Sequence, residues 1–441
     1  MTISLTGLFC IILFILAIRF MATPKTANTG NYLAIISMII AITISFSSLP
    51  EKYLWLSVAI FFGAVIGIVW GEKIKITELP QMVAILNGLG GGAAACIAIA
   101  ETNILKQMYV ISLLGGIIGA ITLSGSLVAF CKLQGLMKKR KIFLSPLVVN
   151  LCFLILIFVS SFFINNQIFL VSVVFGLSLV WGVFMVYPVG GADMPIIISI
   201  LNSFSGWATV AIGFSYSNVL MISVGTIVGA SGSILAYIMI KSMNKNLLNL
   251  FTQQDLPKSE DINEKIPNEG SPKDAAFIME NARNVIIVPG YGMAAASAQY
   301  AIKNMADILE QKYGINVKFA IHPVAGRMPG HMNILLADAG VDYEKVFELD
   351  DINSEFLTTD VVYVIGANDI TNPEAKNNPD SPLYGMPVLD VGKAKVVFFV
   401  KRSLNTGYSG VENPLFFAPN TIMLYGDAKK VTEDICKILE Q

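Results

Sequence analysis

Apolar residues run in long unbroken blocks through the first half of the chain and in short blocks through its last third. Nine long runs, at about 3–19, 31–49, 53–71, 82–100, 108–131, 142–163, 168–187, 194–214 and 219–240, approach the roughly 20 mostly apolar residues that a membrane helix needs. Residues 1–243 therefore predict a multi-span α-helical membrane domain. Residues 244–273 are polar and rich in Asn, Glu, Lys and Pro, and read as a linker. Residues 275–282 predict a short helix at the start of a soluble domain, 274–441. Within it, short apolar runs at 285–288, 317–321, 346–349, 361–365, 396–400 and 422–424 alternate with helical stretches. That alternation predicts a parallel, doubly wound, Rossmann-like α/β sheet.

Composition sharpens the division. The 441 residues are 54% hydrophobic and 14% charged, against about 25% charged in soluble chains. Nearly all of the deficit lies before Lys241. The first apolar run has no basic residue before it, unlike a cleaved signal peptide, and reads as a retained span. Connections between runs alternate in charge. One set holds Arg19, Lys25, Lys73, Lys75, Lys132, Lys138, Lys139, Arg140, Lys141, Lys241 and Lys245; the other holds Lys52 and Lys106. The positive-inside rule puts the N-terminus outside and the soluble domain in the cytoplasm.

Several chemistries are disfavoured. The net charge of −1 leaves no footprint for nucleic acid. The five cysteines are scattered without a CxxC, and His322 and His331 are the two histidines, so no metal site is expected. No ionisable residue stands in the middle of a predicted span, which argues against an autonomous ion pump. Uncharged polar groups remain, among them Asn87, Asn150, Asn202 and Asn218. Gly88, Gly90, Gly91, Gly92, Gly115, Gly116, Gly119 and Gly125 suit either close helix packing or a water-accessible seam around Asn87. Asp193, before Pro195, suits either a helix cap or a gating or docking group.

The soluble half carries the chemistry. Gly290-x-Gly292-x-x-Ala295 follows a predicted strand and opens a helical stretch that continues to about Tyr313. There a dinucleotide pyrophosphate would approach Gly290, Tyr291, Gly292, Met293, Ala294 and Ala295. The second strand ends at His322, where an NAD-binding domain usually has an acidic residue for the ribose, so NAD is disfavoured. Lys401, Arg402 and Ser403 at the end of the fifth strand suit a 2′-phosphate, or form a solvated basic corner. A strand order of 3-2-1-4-5-6 would put that cluster in the second mononucleotide half. The adenosine end would then lie over the second half and the nicotinamide toward the first. Val324, Ala325, Gly326 and Arg327 follow the second strand, where Arg327 could meet a phosphate or a surface acid. Gly366, Ala367, Asn368 and Asp369 follow the fourth, at the switch point where ligands bind. Tyr408 belongs to a loop that is either a lid or a turn. Gly426 and Asp427 either border the adenosine or cap the last helix.

PGYGMAAASAQY, IHPVAGRMPGHMN, VIGANDITNP, KRSLNTGYSG, ENPLFF and GDAKK resemble the NADP-binding domain III of the proton-translocating NAD(P) transhydrogenase family, and GGADMP and LNSFSGW resemble its domain II. The resemblance spans essentially the whole chain. It implies a bacterial-type separate beta subunit in the cell inner membrane, working with an alpha subunit that binds NAD(H), as a dimer of alpha–beta units. It implies hydride transfer between NAD(H) and NADP(H), Si-face and AB-specific, coupled to proton movement. It also implies Gly290, Gly292 and Ala295 at the pyrophosphate, Lys401, Arg402 and Ser403 at the 2′-phosphate, reversed NADP(H), and Asp369 as the acid linked to coupling. Some members have a histidine where this chain has Asn87, which does not titrate. Asn87, Asn218 and Asp193 are thus proton-route candidates only beside a titratable relay from the partner. A transporter with a regulatory nucleotide-sensing domain is the alternative, which an NAD-binding partner would exclude.

Overall fold

The computed structural model describes residues 5–47, 53–101, 109–137, 146–162, 168–190, 193–244, 266–407 and 409–441. Tyr408, Gly191, Ala192 and the loop cations Lys52, Lys106, Lys138, Lys139, Arg140, Lys141 and Lys245 lie outside them. The chain forms two compact units, one of residues 1–189 and 196–236, the other of 190–195 and 237–441.

The first half of the chain folds into α1 (Leu5–Met21), α2 (Ala27–Ser47), α3 (Tyr53–Lys73), α4 (Leu79–Glu101), α5 (Tyr109–Leu133), α6 (Pro146–Phe162), α7 (Ile168–Val186), α8 (Met194–Ser215) and α9 (Val219–Ser242). Among the described residues six of these are long and apolar enough to cross a membrane, and α1, α6 and α7 are shorter apolar helices. Helix α3 exposes Leu54, Trp55, Phe61, Phe62, Ile66 and Ile68. Such a face is stable in hydrocarbon and not in water. The protein is an integral membrane protein.

Backbone proximity explains many of the glycines. A Cβ at Gly91 would stand 2.6 Å from the Gly119 carbonyl oxygen, so α4 and α5 meet backbone to backbone there, with no space for water between them. Helices α8 and α9 meet in the same way, where a Cβ at Gly206 would stand 2.6 Å from Gly229 Cα. At the far end of α5, Lys132 Nζ donates to the carbonyls of Val186 (3.3 Å), Tyr187 and Val189 (2.7 Å). A cation there satisfies carbonyls left open by the end of α7 and complements its dipole.

The soluble part begins before its first strand. Asn268 and Gly270 pair with Met423 through 2.7 and 3.0 Å backbone bonds, extending the edge of the sheet. A Ser271–Asp274 capping box then starts α10 (Pro272–Glu280). The strands are β1 (Asn284–Pro289), β2 (Asn316–Ile321), β3 (Val346–Glu348), β4 (Val361–Ile365), β5 (Val396–Lys401) and β6 (Thr421–Tyr425). All pair in parallel in the order β3-β2-β1-β4-β5-β6. This is the doubly wound order, with its switch point between β1 and β4. Strand β4 is buried throughout, as expected of a parallel strand covered on both faces.

The helical stretch expected after the glycine turn is divided. Helix α11 (Tyr291–Ala295) stops, Ser297 takes φ of 52°, and α12 (Gln299–Tyr313) restarts. A single left-handed residue re-aims the chain so that α12 can bury Ile302, Met305 and Leu309. Helices α13 (His331–Asp338) and α14 (Ala428–Glu440) complete the set used below.

Candidate functional site at the carboxyl edge of the sheet

The loops that leave β1, β2, β4, β5 and β6 all emerge at the carboxyl edge of a parallel sheet, where such folds bind ligands. The β1 and β4 loops interlock. Gly290 N–H donates to Ile365 O at 2.9 Å and Gly292 N–H to Gly366 O at 2.8 Å. A Cβ at Gly292 would stand 2.5 Å from Gly366 Cα. Gly366 itself has φ of 66°, a conformation that favours glycine. The glycines of the turn thus hold the two loops together at the switch point, besides keeping their outer surface free of side chains. Met293 and Ala294 face the core, whereas Ala295 is exposed.

The β2 loop is locked by the two histidines. His322 is buried; Nδ1 accepts from Val324 N–H (3.2 Å), which leaves Nε2–H to donate to Pro387 O (2.7 Å). Burial drives its pKa down to about 4, with the bond to Pro387 opposing, so it is a neutral strut and not a ribose ligand. His331, also buried, accepts from Arg327 N–H through Nδ1 at 3.0 Å; burial and then the Arg327 charge push it down to about 4. Arg327 lays its guanidinium 4.3 Å from the centre of the Tyr291 ring, which joins the β2 loop to the glycine turn. Val324 is half-buried and Ala325 buried beside them.

The β4 and β5 loops are joined by Asp369. Its Oδ2 accepts from Ser409 N–H (3.0 Å) and its Oδ1 from Ser409 Oγ (2.8 Å). Asn413 Nδ2 donates to both the carbonyl and Oδ1 of Asn368 at 3.2 Å, while Asn368 Nδ2 is buried with no partner. Ala367 is buried next to it. Lys401 donates to Asn405 O (2.8 Å) and lies 4.4 Å from the Phe416 ring centre. Burial pushes its ammonium down to about 8, and the Asp369 carboxylate opposes the shift. Arg402 Nη2 donates to Asp427 Oδ2 at 2.8 Å, and that bond, more than any other cause, holds Asp427 below the usual carboxylate range. Asp427 also caps α14 through Oδ1, from Lys429 and Lys430 N–H. The pair is exposed, so exchanging Asp427 for another anion costs at most about 1 kcal/mol. Ser403 follows in the same loop and Gly426 precedes Asp427.

The described residues that the sequence singled out in the sheet domain therefore lie along one edge. Sequence reading did not single out Ser409, Asn413 and His331, whose roles arise from contacts 40 or so positions away or from burial; Asn413 before Pro414 was legible as a cap.

In the membrane half Asn87 is buried on α4, and its Nδ2 donates to Ile198 O at 3.4 Å. Asn218 stands elsewhere: it is exposed, and its Oδ1 accepts from Met221 N–H (3.2 Å) at the start of α9, so it caps a helix end instead of sharing Asn87's depth. Asp193 directly precedes α8, with Pro195 in the first turn. No ionisable residue is expected in the middle of a span, and the acidic group buried in this half stands at a helix end. Helix α4 runs on to Glu101, which is 3% exposed. Its place on the stripe Gly91, Ala94, Ala98, Glu101 was the available signal. Among the described residues no group of His, Cys, Asp and Glu could hold a metal ion.

A family model described as "PNTB: NAD(P) transhydrogenase beta subunit" matches residues 3–438. The NAD(P) transhydrogenase subunit beta of Rhodospirillum rubrum is 46% identical over 454 aligned positions, covering 97% of this chain and 97% of that protein. The same figures hold for the protein of that name from a designated strain of the organism.

Proposed function

The chain belongs to the NAD(P) transhydrogenase beta-subunit family, and from that premise we propose that it is the NADP(H)-binding, membrane-spanning subunit of a proton-translocating transhydrogenase. Its partner is an NAD(H)-binding alpha subunit, in a dimer of alpha–beta units. It sits in a bacterial cell inner membrane with its N-terminus periplasmic and its sheet domain cytoplasmic, as the loop cations support.

The observation that carries this reading is the edge described above. A glycine turn, an acid-anchored loop and two cations share the carboxyl edge of a parallel sheet in a chain that also spans a membrane. The residues fit an anionic dinucleotide. Lys401, Arg402 and Ser403 supply positive charge and a hydroxyl for a 2′-phosphate, and buried Asn368 Nδ2 is a donor awaiting an acceptor. Gly290, Gly292 and Ala295 leave a bare backbone surface for the pyrophosphate, and Arg327 and Tyr291 flank it. Gly426 and Asp427 lie with the cations on the second half, so adenosine belongs there and nicotinamide toward the first half.

The bound dinucleotides supply the hydride carriers, so the protein needs no nucleophile or base at the reacting carbon. Its own residues position, enclose and change affinity. Asp369 is the natural link. It holds the Lys401–Gly410 loop through Ser409, and it lies close enough to Lys401 to act on its charge. A proton taken up at Asp369 would weaken its acceptor bonds and loosen that loop, so protonation and NADP(H) affinity are coupled. Asn87 and Asp193 are retained as parts of the proton route, Asn218 as its mouth, with the titratable relay assigned in part to the partner.

The test is co-purification with an alpha subunit, followed by an assay of hydride exchange between the two nicotinamide pools in sealed vesicles. Exchange that acidifies the lumen is expected. A pure chain that moves a solute in response to NADP(H) without such a partner would overturn the reading.

A further inference from the structure

Among the described residues of the membrane half, Glu101 is the one buried acidic or basic side chain. It closes α4, and two other elements reach it at the same end of the bundle. Ser112, in the first turn of α5, donates its hydroxyl to Oε2, and Ser215, the last residue of α8, donates to the same oxygen at 2.8 Å. Oε1 is buried without a partner. The Tyr216 hydroxyl lies beside the carboxyl; Lys106 lies outside the described residues. Among them no Lys, Arg or His pairs with it.

A carboxylate buried without a counter-ion is costly. The carbonyl ends of α4 and α8 add an unfavourable dipole, and the amino end of α5 only partly offsets them. A protonated carboxyl can donate to the Ser112 or Ser215 hydroxyl, each of which is an acceptor as well as a donor, so the same cradle can hold both protonation states.

The surroundings suggest a direction. The contact between α4 and α5 is closed by Gly91 and Gly119. Polar residues stand at three points where α4 meets α8. Asn87 meets Ile198 O, Gly90 faces Ser205, and Glu101 meets Ser215. Asn87 and Glu101 share the buried stripe of α4 and are separated by about 21 Å of helix rise.

We propose that Glu101, cradled by Ser112 and Ser215, is a proton-binding site at the mouth of a route between α4 and α8 that leads toward Asn87. The carboxylate takes a proton from hydronium, leaving water, and returns it to a water on the route. Its coupling role rests on the transhydrogenase reading; its protonation does not.

Two measurements on the alpha–beta complex in vesicles separate these. Infrared difference spectra across a pH titration are expected to show a protonated-carboxyl band that disappears in Glu101→Gln, persists in Glu101→Asp, and shifts its midpoint in Ser112→Ala or Ser215→Ala. Proton pumping in Glu101→Gln is expected to fall by roughly a hundredfold, the lower end of what a positioned proton-transfer group contributes, with Glu101→Asp recovering part. Exchange that needs no net proton transfer shows whether the variant assembles. Identical titrating bands in wild type and Glu101→Gln, or wild-type pumping in an assembled Glu101→Gln complex, would overturn the proposal. A sodium-dependent band that does not titrate would also overturn it. If the wild-type complex exchanges no hydride at all, the transhydrogenase reading fails, and the carboxyl band still decides whether Glu101 binds a proton.

Discussion

Single side chains at the sheet edge make separable predictions. Arg402 leaves a weak exposed partner for a stronger anion, so Arg402→Ala should weaken NADP(H) binding by about 1.5–3 kcal/mol, the scale of a charge-assisted hydrogen bond. Calorimetry on the full chain should find NAD(H) binding unaffected. Lys401 adds a pH dependence. Its ammonium is held down to about 8 in the free protein, and an adjacent phosphate would raise it again. Binding should therefore take up protons above pH 8, and NADP(H) affinity should be flat below that and fall as pH rises. Equal heats in buffers of different ionisation enthalpy at pH 9 would contradict this. Asp369→Asn replaces an acceptor with a donor opposite Ser409 and removes the negative charge. Coupled turnover should drop at least about tenfold, since 1.4 kcal/mol already gives that factor. Ser409→Ala keeps the carboxylate and should keep most of the turnover; equal losses in the two variants would mean that Asp369 only anchors the loop.

At the scale of elements, the site depends on two loops fitting backbone to backbone. Gly366→Ala places a methyl against the Met293 N–H and forces an alanine to φ of 66°. The left-handed conformation alone costs about 1–2 kcal/mol, and the displaced β1 loop adds to it. Denaturant unfolding should show that loss, together with weakened NADP(H) binding. Sequence reading placed the strands well because each is a short apolar run, and the central β1 and β4 are buried on both faces. It missed the break between α11 and α12, because one left-handed serine leaves no mark on apolar periodicity. It also stopped α4 one residue short of Glu101, because hydropathy ends a span at a charge even where tertiary contacts bury it.

For the whole molecule, the proposed function requires a coupling free energy between proton binding in the membrane half and NADP(H) affinity at the sheet edge. Asn87→Leu tests the membrane end of that coupling. The amide bond to Ile198 O is lost and an apolar side chain enters the contact between α4 and α8. Proton-coupled turnover should fall, NADP(H) binding should stay near normal, and exchange without net proton transfer should survive better than the coupled reaction. Wild-type pumping by that variant would remove Asn87 from the route.

The sequence by itself determined what depends on local pattern and on solvent. Long apolar runs dictate lipid-facing helices, because each backbone must bond internally in hydrocarbon. Short buried runs alternating with helices dictate a parallel sheet, and glycine spacing marks its first turn. The long motifs were legible as a family resemblance before any contact was known. Tertiary structure decided everything that needs two distant segments at once. It gave Gly290 and Gly292 a partner in Gly366, tied Asp369 to Ser409, and held Arg402 on Asp427. It turned His322 into a neutral strut and buried Glu101 between two serines. Burial and pairing set the charge state of a side chain, and neither is a property of its neighbours in sequence.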